Sequence, residues 1–405
     1  MRKRGLGKHP NINIVCFGVV ATFKFLKNNR LLADNLLVLK KIKPGMEMRR
    51  SRPGHMKMNL NQVRKVKAAK TTLCLCLSVF STADLIAPQI PVSKLVAVTL
   101  PAGVTSAEIQ HTLDRLPGSG GEVVLPAGTF EVGQPIVLRR DNQSLRGSGD
   151  ATVLRLADGA NCPVIILGEP INNPQRTVKH LRVSGLFIDG NRHRQQRELW
   201  RLEGEGSEVR NNGITAQNVS DSAVEHVTCA RCRSGGLVTT LGVKRLTVRN
   251  LTAFDNEFDG LACYQTTDSM FTKLYLHDNP GAGISLDLAF NHNVISNAVL
   301  TANDLGIFMR ASRDNQFHDI SIFSSHRYGV FMAQAEKKTA RGWQPAPRTE
   351  CADNSFTNLI ASNCGSAAIR VNNTTCTNNV IVRARFDGDT RGELSLAQPD
   401  LVTVR

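Results

Sequence analysis

Gly283-Ile-Ser-Leu-Asp287 and Gly306-Ile-Phe-Met-Arg310, twenty-three residues apart, decide the reading of this chain. The same unit, a glycine followed by a short alternating run, stands at Gly213-Ile-Thr-Ala-Gln217, Gly236-Leu-Val-Thr-Thr240, Gly260-Leu-Ala-Cys-Tyr264 and Gly329-Val-Phe-Met-Ala333. The successive glycines are 23, 24, 23, 23 and 23 residues apart. A second alternation follows within each unit, as in Leu246-Thr-Val-Arg-Asn-Leu251, Phe271-Thr-Lys-Leu274 and Phe317-His-Asp-Ile320. Asn256, Asn279, Asn303 and Asn363 mark the turns.

Period-two alternation in short pieces indicates strands. Gly and Asn at left-handed turn positions join them and leave no room for crossover helices. One strand from each repeat must then pair in parallel with its counterpart in the next, which makes a parallel β-helix rising about 4.8 Å per coil. A propeller blade is about twice as long, and the leucine ladder of leucine-rich repeats is absent.

Upstream, Val104-Thr-Ser-Ala-Glu-Ile-Gln-His-Thr-Leu113 has the pattern of a short amphipathic helix. Gly120-Gly-Glu-Val-Val-Leu-Pro-Ala-Gly-Thr-Phe-Glu-Val132, Ser144-Leu-Arg-Gly-Ser-Gly149 and Thr152-Val-Leu-Arg-Leu156 follow it. This order resembles the start of pectate-lyase-superfamily right-handed β-helices, over roughly residues 100–385. The resemblance implies an all-β fold, a single-stranded right-handed parallel β-helix with coils of about 23 residues and a short N-terminal capping helix. The superfamily holds lyases, epimerases, hydrolases and phage depolymerases, so fold alone does not choose among them. The paired-aspartate and Gly-His-Gly motifs of polygalacturonases are missing, as is the Asp-Pro-His-Asp/Glu motif of mannuronan epimerases.

The formal charge of +16 is concentrated at one end. Residues 1–70 carry 18 Lys/Arg and 2 Asp/Glu, and residues 71–405 carry 32 of each. The body lacks the basic stripe that a nucleic-acid surface requires. Lys65-Val-Lys-Ala-Ala-Lys70, the apolar run Thr71–Phe80 and Ser81-Thr-Ala83 read as a signal peptide over residues 58–83. About ten apolar positions are too few to span a bilayer. Residues 1–57 are then expected to be a basic extension or a mis-assigned start, since Met46, Met48, Met56 and Met58 offer internal starts. A genuine basic tail with a short membrane-associated segment is the other reading. Residues 84–99 are expected to be a linker and 100–405 the β-helix, secreted or periplasmic, monomeric or trimeric. Of the seven cysteines after the leader, Cys229-Ala-Arg-Cys232 has zinc-like spacing without a second pair, which favours buried thiols or a disulfide or two over a metal site.

Counting from each glycine, the +1 residues are all apolar, so +1 and +3 face inward and +2 and +4 form outward columns. The +4 column reads Gln217, Thr240, Tyr264, Asp287, Arg310, Ala333, and the +2 column contains Ser285, Phe308 and Phe331. Tyr264, Asp287 and Arg310 therefore stack one coil apart. On a uronate, Arg310 would hold the carboxylate, Tyr264 would move the C5 proton, Asp287 would orient either, and Ser285, Phe308 and Phe331 would contact the sugar. The plain alternative is a solvated ladder with an Asp287–Arg310 salt bridge.

Two insertions border this column, one of about 18 residues before Gly213 containing Trp200 and one from about Glu336 to Cys351 containing Trp343. Each tryptophan either contacts substrate or pins its own loop. Asp255, Asp259, His277 and Asp278 occupy the turns before the glycines. Asp259 and Asp278 have the oxygen donors for Ca²⁺ and His277 is an acid or base candidate, whereas turn capping is the simpler role. The favoured function is a polysaccharide lyase or epimerase on an acidic glycan, requiring no cofactor or using Ca²⁺. A non-catalytic glycan-binding or cell-surface β-helix and a glycoside hydrolase are the alternatives; the last needs paired carboxylates about 5–10 Å apart.

Overall fold

Each repeat contributes its two alternating runs to two parallel sheets. The computed structural model describes residues 12–16, 19–23, 96–195, 211–339, 342–345 and 349–405. Residues 1–79 and 80–405 are separate compact units. In the first, the described residues form an antiparallel hairpin, Ile12–Cys16 with Val19–Phe23. The expected signal peptide, the linker up to residue 95, and Trp200 lie outside the described residues.

The second unit is a parallel β-solenoid of about 12 turns. The six glycine-led strands lie in order within one ten-stranded sheet that runs from Ile136–Leu138 to Leu394–Leu396. Ile214, Leu237, Leu261, Ile284, Ile307 and Val330 are successive register partners, all fully buried. The second alternation builds the other sheet, with strands such as Val243–Phe254, Met270–His277, Val294–Thr301 and Gln316–Phe323 paired in parallel. Each fully enclosed aliphatic side chain contributes about 1.5–3 kcal/mol. Phe317 and Phe356 stack within this core at 4.3 Å.

The leading glycines serve a purpose other than the left-handed turns expected of them. None of the six has a positive φ. A Cβ on Gly213 would lie 2.6 Å from the Gly236 oxygen, one on Gly236 2.6 Å from Gly260, and one on Gly306 2.5 Å from Gly329. Successive coils come too close here for any side chain. The left-handed turns fall instead on residues such as Asp255, Asp278 and Ala302 before these strands and Leu241, Gln265, Leu288 and Ala311 after them.

Beside the glycines runs a buried amide ladder. The Asn256 side chain donates to that of Asn279 at 3.0 Å and Asn279 to that of Asn303 at 2.9 Å. Asn363 stands apart, exposed and left-handed. A second ladder, Asn293 to Asn315 to Asn354 to Asn379, was not anticipated from the sequence. Buried amides joined in this way satisfy turn backbone that solvent does not reach.

The expected helix spans Ser106–Arg115, capped by Thr105 and Glu108 in a reciprocal capping box. Ile109 and Leu113 are buried under it. Its Gln110 side chain accepts from the Val137 N–H at 2.7 Å and donates to the Val137 carbonyl at 3.1 Å, occupying the open edge of the ten-stranded sheet. Strand Ala97–Thr99, at the end of the segment read as a linker, already pairs with Gly121–Val124. All seven cysteines of the solenoid are free thiols. Burial pushes the thiols of Cys232 and Cys263 up to about 12.

Candidate functional site

The trailing ends of the glycine-led strands carry the chemistry. Tyr264 and Asp287 are register partners on adjacent coils. Arg310 lies one coil further, and its Nε donates to Asp287 Oδ2 at 2.8 Å, with Nη2 directed at the same oxygen. Asp287 Oδ1 accepts from the Leu288 N–H at 2.7 Å. The Asp287 side chain is only 4% exposed whereas that of Arg310 is 40% exposed, so the carboxylate is enclosed and the guanidinium faces out. Burial works against the Arg310 charge, but the hydrogen bonds and charge of Asp287, aided by Tyr264 and Cys351, outweigh it and raise its pKa above the ordinary guanidinium value.

An aromatic platform adjoins the ion pair. Phe308 and Phe331 are register partners whose rings stack at 5.7 Å, nearly parallel. Arg310 Cζ lies 5.6 Å from the Phe308 ring centroid, a cation–π distance. Tyr328 packs on Phe331 at 5.6 Å. Phe308 forms a small apolar cluster with Ala282 and Leu305, separate from the main core, and Tyr328 and Phe331 pack against it. Tyr328 escaped the sequence reading because it precedes the repeat glycine, where alternation gives it no outward assignment. Ser285, the register partner of Phe308, is buried.

The outward columns were expected to be an open surface. Much of that face is enclosed: Thr215, Gln217, Val238, Ala262, Ser285 and Asp287 are all buried. Gln217 donates to the carbonyls of Glu169 and Ile171, so the chain near residue 170 covers one end of the face. Thr240, Tyr264 and Arg310 in the +4 column and Phe331 in the +2 column are partly exposed.

The turn residues do not join this trio. His277 ends its strand in the other sheet, and the strand Ala282–Asp287 then separates it from Asp287 by roughly 16 Å of extended chain. There His277 stacks on Phe254 at 4.8 Å, packs on Tyr275 at 4.5 Å, and its Nδ1 bonds Asp278 at 2.6 Å. Asp259 Oδ1 accepts from the Ala282 N–H at 2.7 Å, bracing one coil on the next. Asp255 pairs with Arg192 at 2.8 Å. Asp259 and Asp278 thus act in turn bracing and in pairing with His277. Among the described residues, no three His, Cys, Asp or Glu side chains are grouped to hold a metal ion. The second insertion forms a hairpin, Glu336–Thr339 with Gly342–Pro345, in which Trp343 is the register partner of Lys338.

This arrangement defines a solenoid with an aromatic and cationic strip along one edge. Residues 175–319 match the family described as right handed beta helix region. The solenoid is similar to ORF18 of Geobacillus virus E2, with a TM-score of 0.52 at 14% identity over 76% of this chain and 61% of that one. It is also similar to the N-terminal fragment of bacteriophage Phi29 gene product 12, with a TM-score of 0.55 at 15% identity over 74% of this chain and 52% of that one. The alginate lyase from Paenibacillus sp. str. FPU-7 gives 0.51 at 12% identity over 76% of this chain and 99% of that one. The chain therefore spans less than two thirds of the two phage proteins and nearly the whole of the lyase. No curated protein sequence matches it. The fold is a right-handed parallel β-helix, as the sequence analysis expected. Among the described residues, no helix is long and apolar enough to cross a membrane.

Proposed function

We propose that this protein is a carbohydrate-active β-helix, secreted or periplasmic, that acts as a lyase or epimerase on an acidic polysaccharide. One observation carries the reading: an outward guanidinium, Arg310, anchored by a buried carboxylate, lies between a partly exposed tyrosine and a stacked aromatic pair. Asp287 is a positioning residue. It fixes the Nε edge of Arg310 and leaves the remaining guanidinium hydrogens for a uronate carboxylate. That contact would stabilise the charge that develops when the C5 proton leaves. The Tyr264 phenolate would take this proton. Loss of the C4–O bond, with the proton held by Tyr264 passing to the departing oxygen, would complete an elimination with a C4–C5 double bond, and delivery of a proton from water to the opposite face would complete an epimerisation. Phe331, partly exposed, would stack on the face of a sugar, with the buried Phe308 packed behind it.

No cofactor enters either reaction as drawn. The hydrolase reading is disfavoured because the +2 and +4 columns hold one carboxylate, Asp287, and it is committed to an ion pair. The test is to incubate the protein with alginate, pectate and glycosaminoglycans. Unsaturated product is followed at about 230–240 nm, the range for a double bond conjugated to the carboxylate, and C5 exchange is followed in deuterated water. Product or exchange supports the reading. Tight glycan binding with neither one assigns the strip to a binding protein.

A further inference from the structure

Most outward arginines along the solenoid are matched by a carboxylate. Arg231 pairs with Asp189, Arg245 with Asp221, Arg310 with Asp287, Arg313 with Glu350 and Asp353, and Arg327 with Asp304. Arg370 breaks this pattern. Its Nη1 donates to Ser395 Oγ at 2.8 Å and its Nη2 to Asn372 Oδ1 at 3.2 Å, both neutral acceptors. Among the described residues no Asp or Glu pairs with it. Glu393, two residues before Ser395 on the next strand, is exposed and makes no ion pair with it.

Its position makes this unmatched charge informative. Arg370 is the register partner of Phe331, and its neighbours Ile369 and Val371 are fully buried, so its side chain stands on the same outer face as the aromatic pair. It lies two coils beyond the Arg310 strand, about 10 Å along the axis. Phe331 occupies the coil between them. Neutral acceptors hold a half-buried guanidinium in place without neutralising it, so an anion that docks there gains charge-assisted hydrogen bonds at little ordering cost.

We infer that Arg370 is a second carboxylate-binding position for the glycan, resting on the proposed action at an acidic polysaccharide. A chain laid along the solenoid axis would set one uronate on Arg310, a ring across Phe331 and a further uronate on Arg370. The specificity that follows is for runs of uronic acid and against chains with isolated acidic residues. A two-residue fragment reaches only one guanidinium, whereas a longer oligouronate engages both.

The test is calorimetric titration of the full chain with a size series of oligouronates and their carboxyl-reduced, neutral counterparts, comparing wild type with Arg370→Gln. The substitution removes the charge from an outward-facing side chain and is expected to leave the unfolding midpoint unchanged. The inference expects affinity for the longer acidic fragments to fall tenfold to a hundredfold, affinity for the shortest to stay constant, and the neutral series to show no difference. Equal wild-type and Arg370→Gln affinities for every acidic fragment would overturn the Arg370 position while leaving the Arg310 reading intact. Failure of the wild type to bind any acidic fragment would overturn both.

Discussion

The leading and trailing ends of the glycine-led strands differ in what the repeat allows. At the leading end, coil after coil carries the same residues, glycine where the backbones approach and asparagine in the adjoining ladder. At the trailing end no two of the six coils agree, since Gln217, Thr240, Tyr264, Asp287, Arg310 and Ala333 share one column. Stacking demands uniformity only where each coil must fit its neighbour at backbone distance. The turn after position +4 is made by residues as different as Leu241, Gln265, Leu288 and Ala311, so that edge accepts varied chemistry. Repetition marks the scaffold here, and loss of repetition marks the surface available for a site.

This contrast predicts which substitutions strike stability and which strike function. The largest effect is expected from Gly306→Val. Its Cβ would meet the Gly329 oxygen and an Ile322 methyl, each at 2.5 Å, and overpacking against backbone destabilises by about 3 kcal/mol. Unaltered urea unfolding would break the account of the leading end.

Arg310→Ala sharpens the contrast because it crosses the divide. Outward residues usually matter little to a core, but removing Arg310 strands the enclosed Asp287 carboxylate, at about 3 kcal/mol. The double variant Asp287→Asn with Arg310→Gln should recover most of that stability but none of the turnover. Equal stability of wild type and Arg310→Ala would show that Asp287 does not depend on its partner.

Asn303→Ala comes next. Asn303 accepts from the Asn279 backbone at 3.1 Å and side chain at 2.9 Å, and donates to the Leu276 carbonyl at 2.9 Å. Leaving these buried groups unsatisfied should cost about 2 kcal/mol in chemical unfolding, with glycan binding unchanged at native conditions. A neutral result would mean that the ladder is ornamental.

The last effect vanishes near neutral pH and appears only under alkaline conditions. Burial raises the thiols of Cys232 and Cys263 to about 12, above their value in the unfolded chain. Their contribution is complete below about pH 9 and is lost as pH rises toward about 12, because the unfolded chain releases these protons first. Stability of the reduced protein should therefore decline across that window, and replacing both cysteines with alanine should lessen the decline, which other thiols raised by burial, such as Cys162 and Cys364, also drive.

The fold was legible because its constraint is local and periodic. Six glycines near 23-residue spacing fix the coil length, and the alternation after each one fixes which side chains face inward, as Ile284 and Ile307 illustrate. The capping helix was legible through its amphipathic run. The second asparagine ladder was hidden because an insertion separates Asn315 from Asn354 by 39 residues. Arg370 was hidden for a related reason. Its strand, Ala367–Val371, follows the same insertion and has Ala368 where the repeat would place glycine. The outward trio was legible as a column. The enclosure of the Gln217 end of that face was not, because the chain near residue 170 that covers it is distant in sequence. His277 and Asp259 looked like groove residues because a turn sits close to the site in sequence, whereas a full strand length separates them in space.

Tyr264→Phe tests the central claim most directly, that the divergent end of these strands performs proton transfer on an acidic glycan. The variant keeps the ring and removes the oxygen that takes the C5 proton, and its unfolding midpoint should match that of wild type. On the acidic polysaccharide that the wild type turns over, the account predicts a fall in rate of about 10²–10⁴-fold with substrate affinity retained. Wild-type turnover by a correctly folded Tyr264→Phe would contradict it.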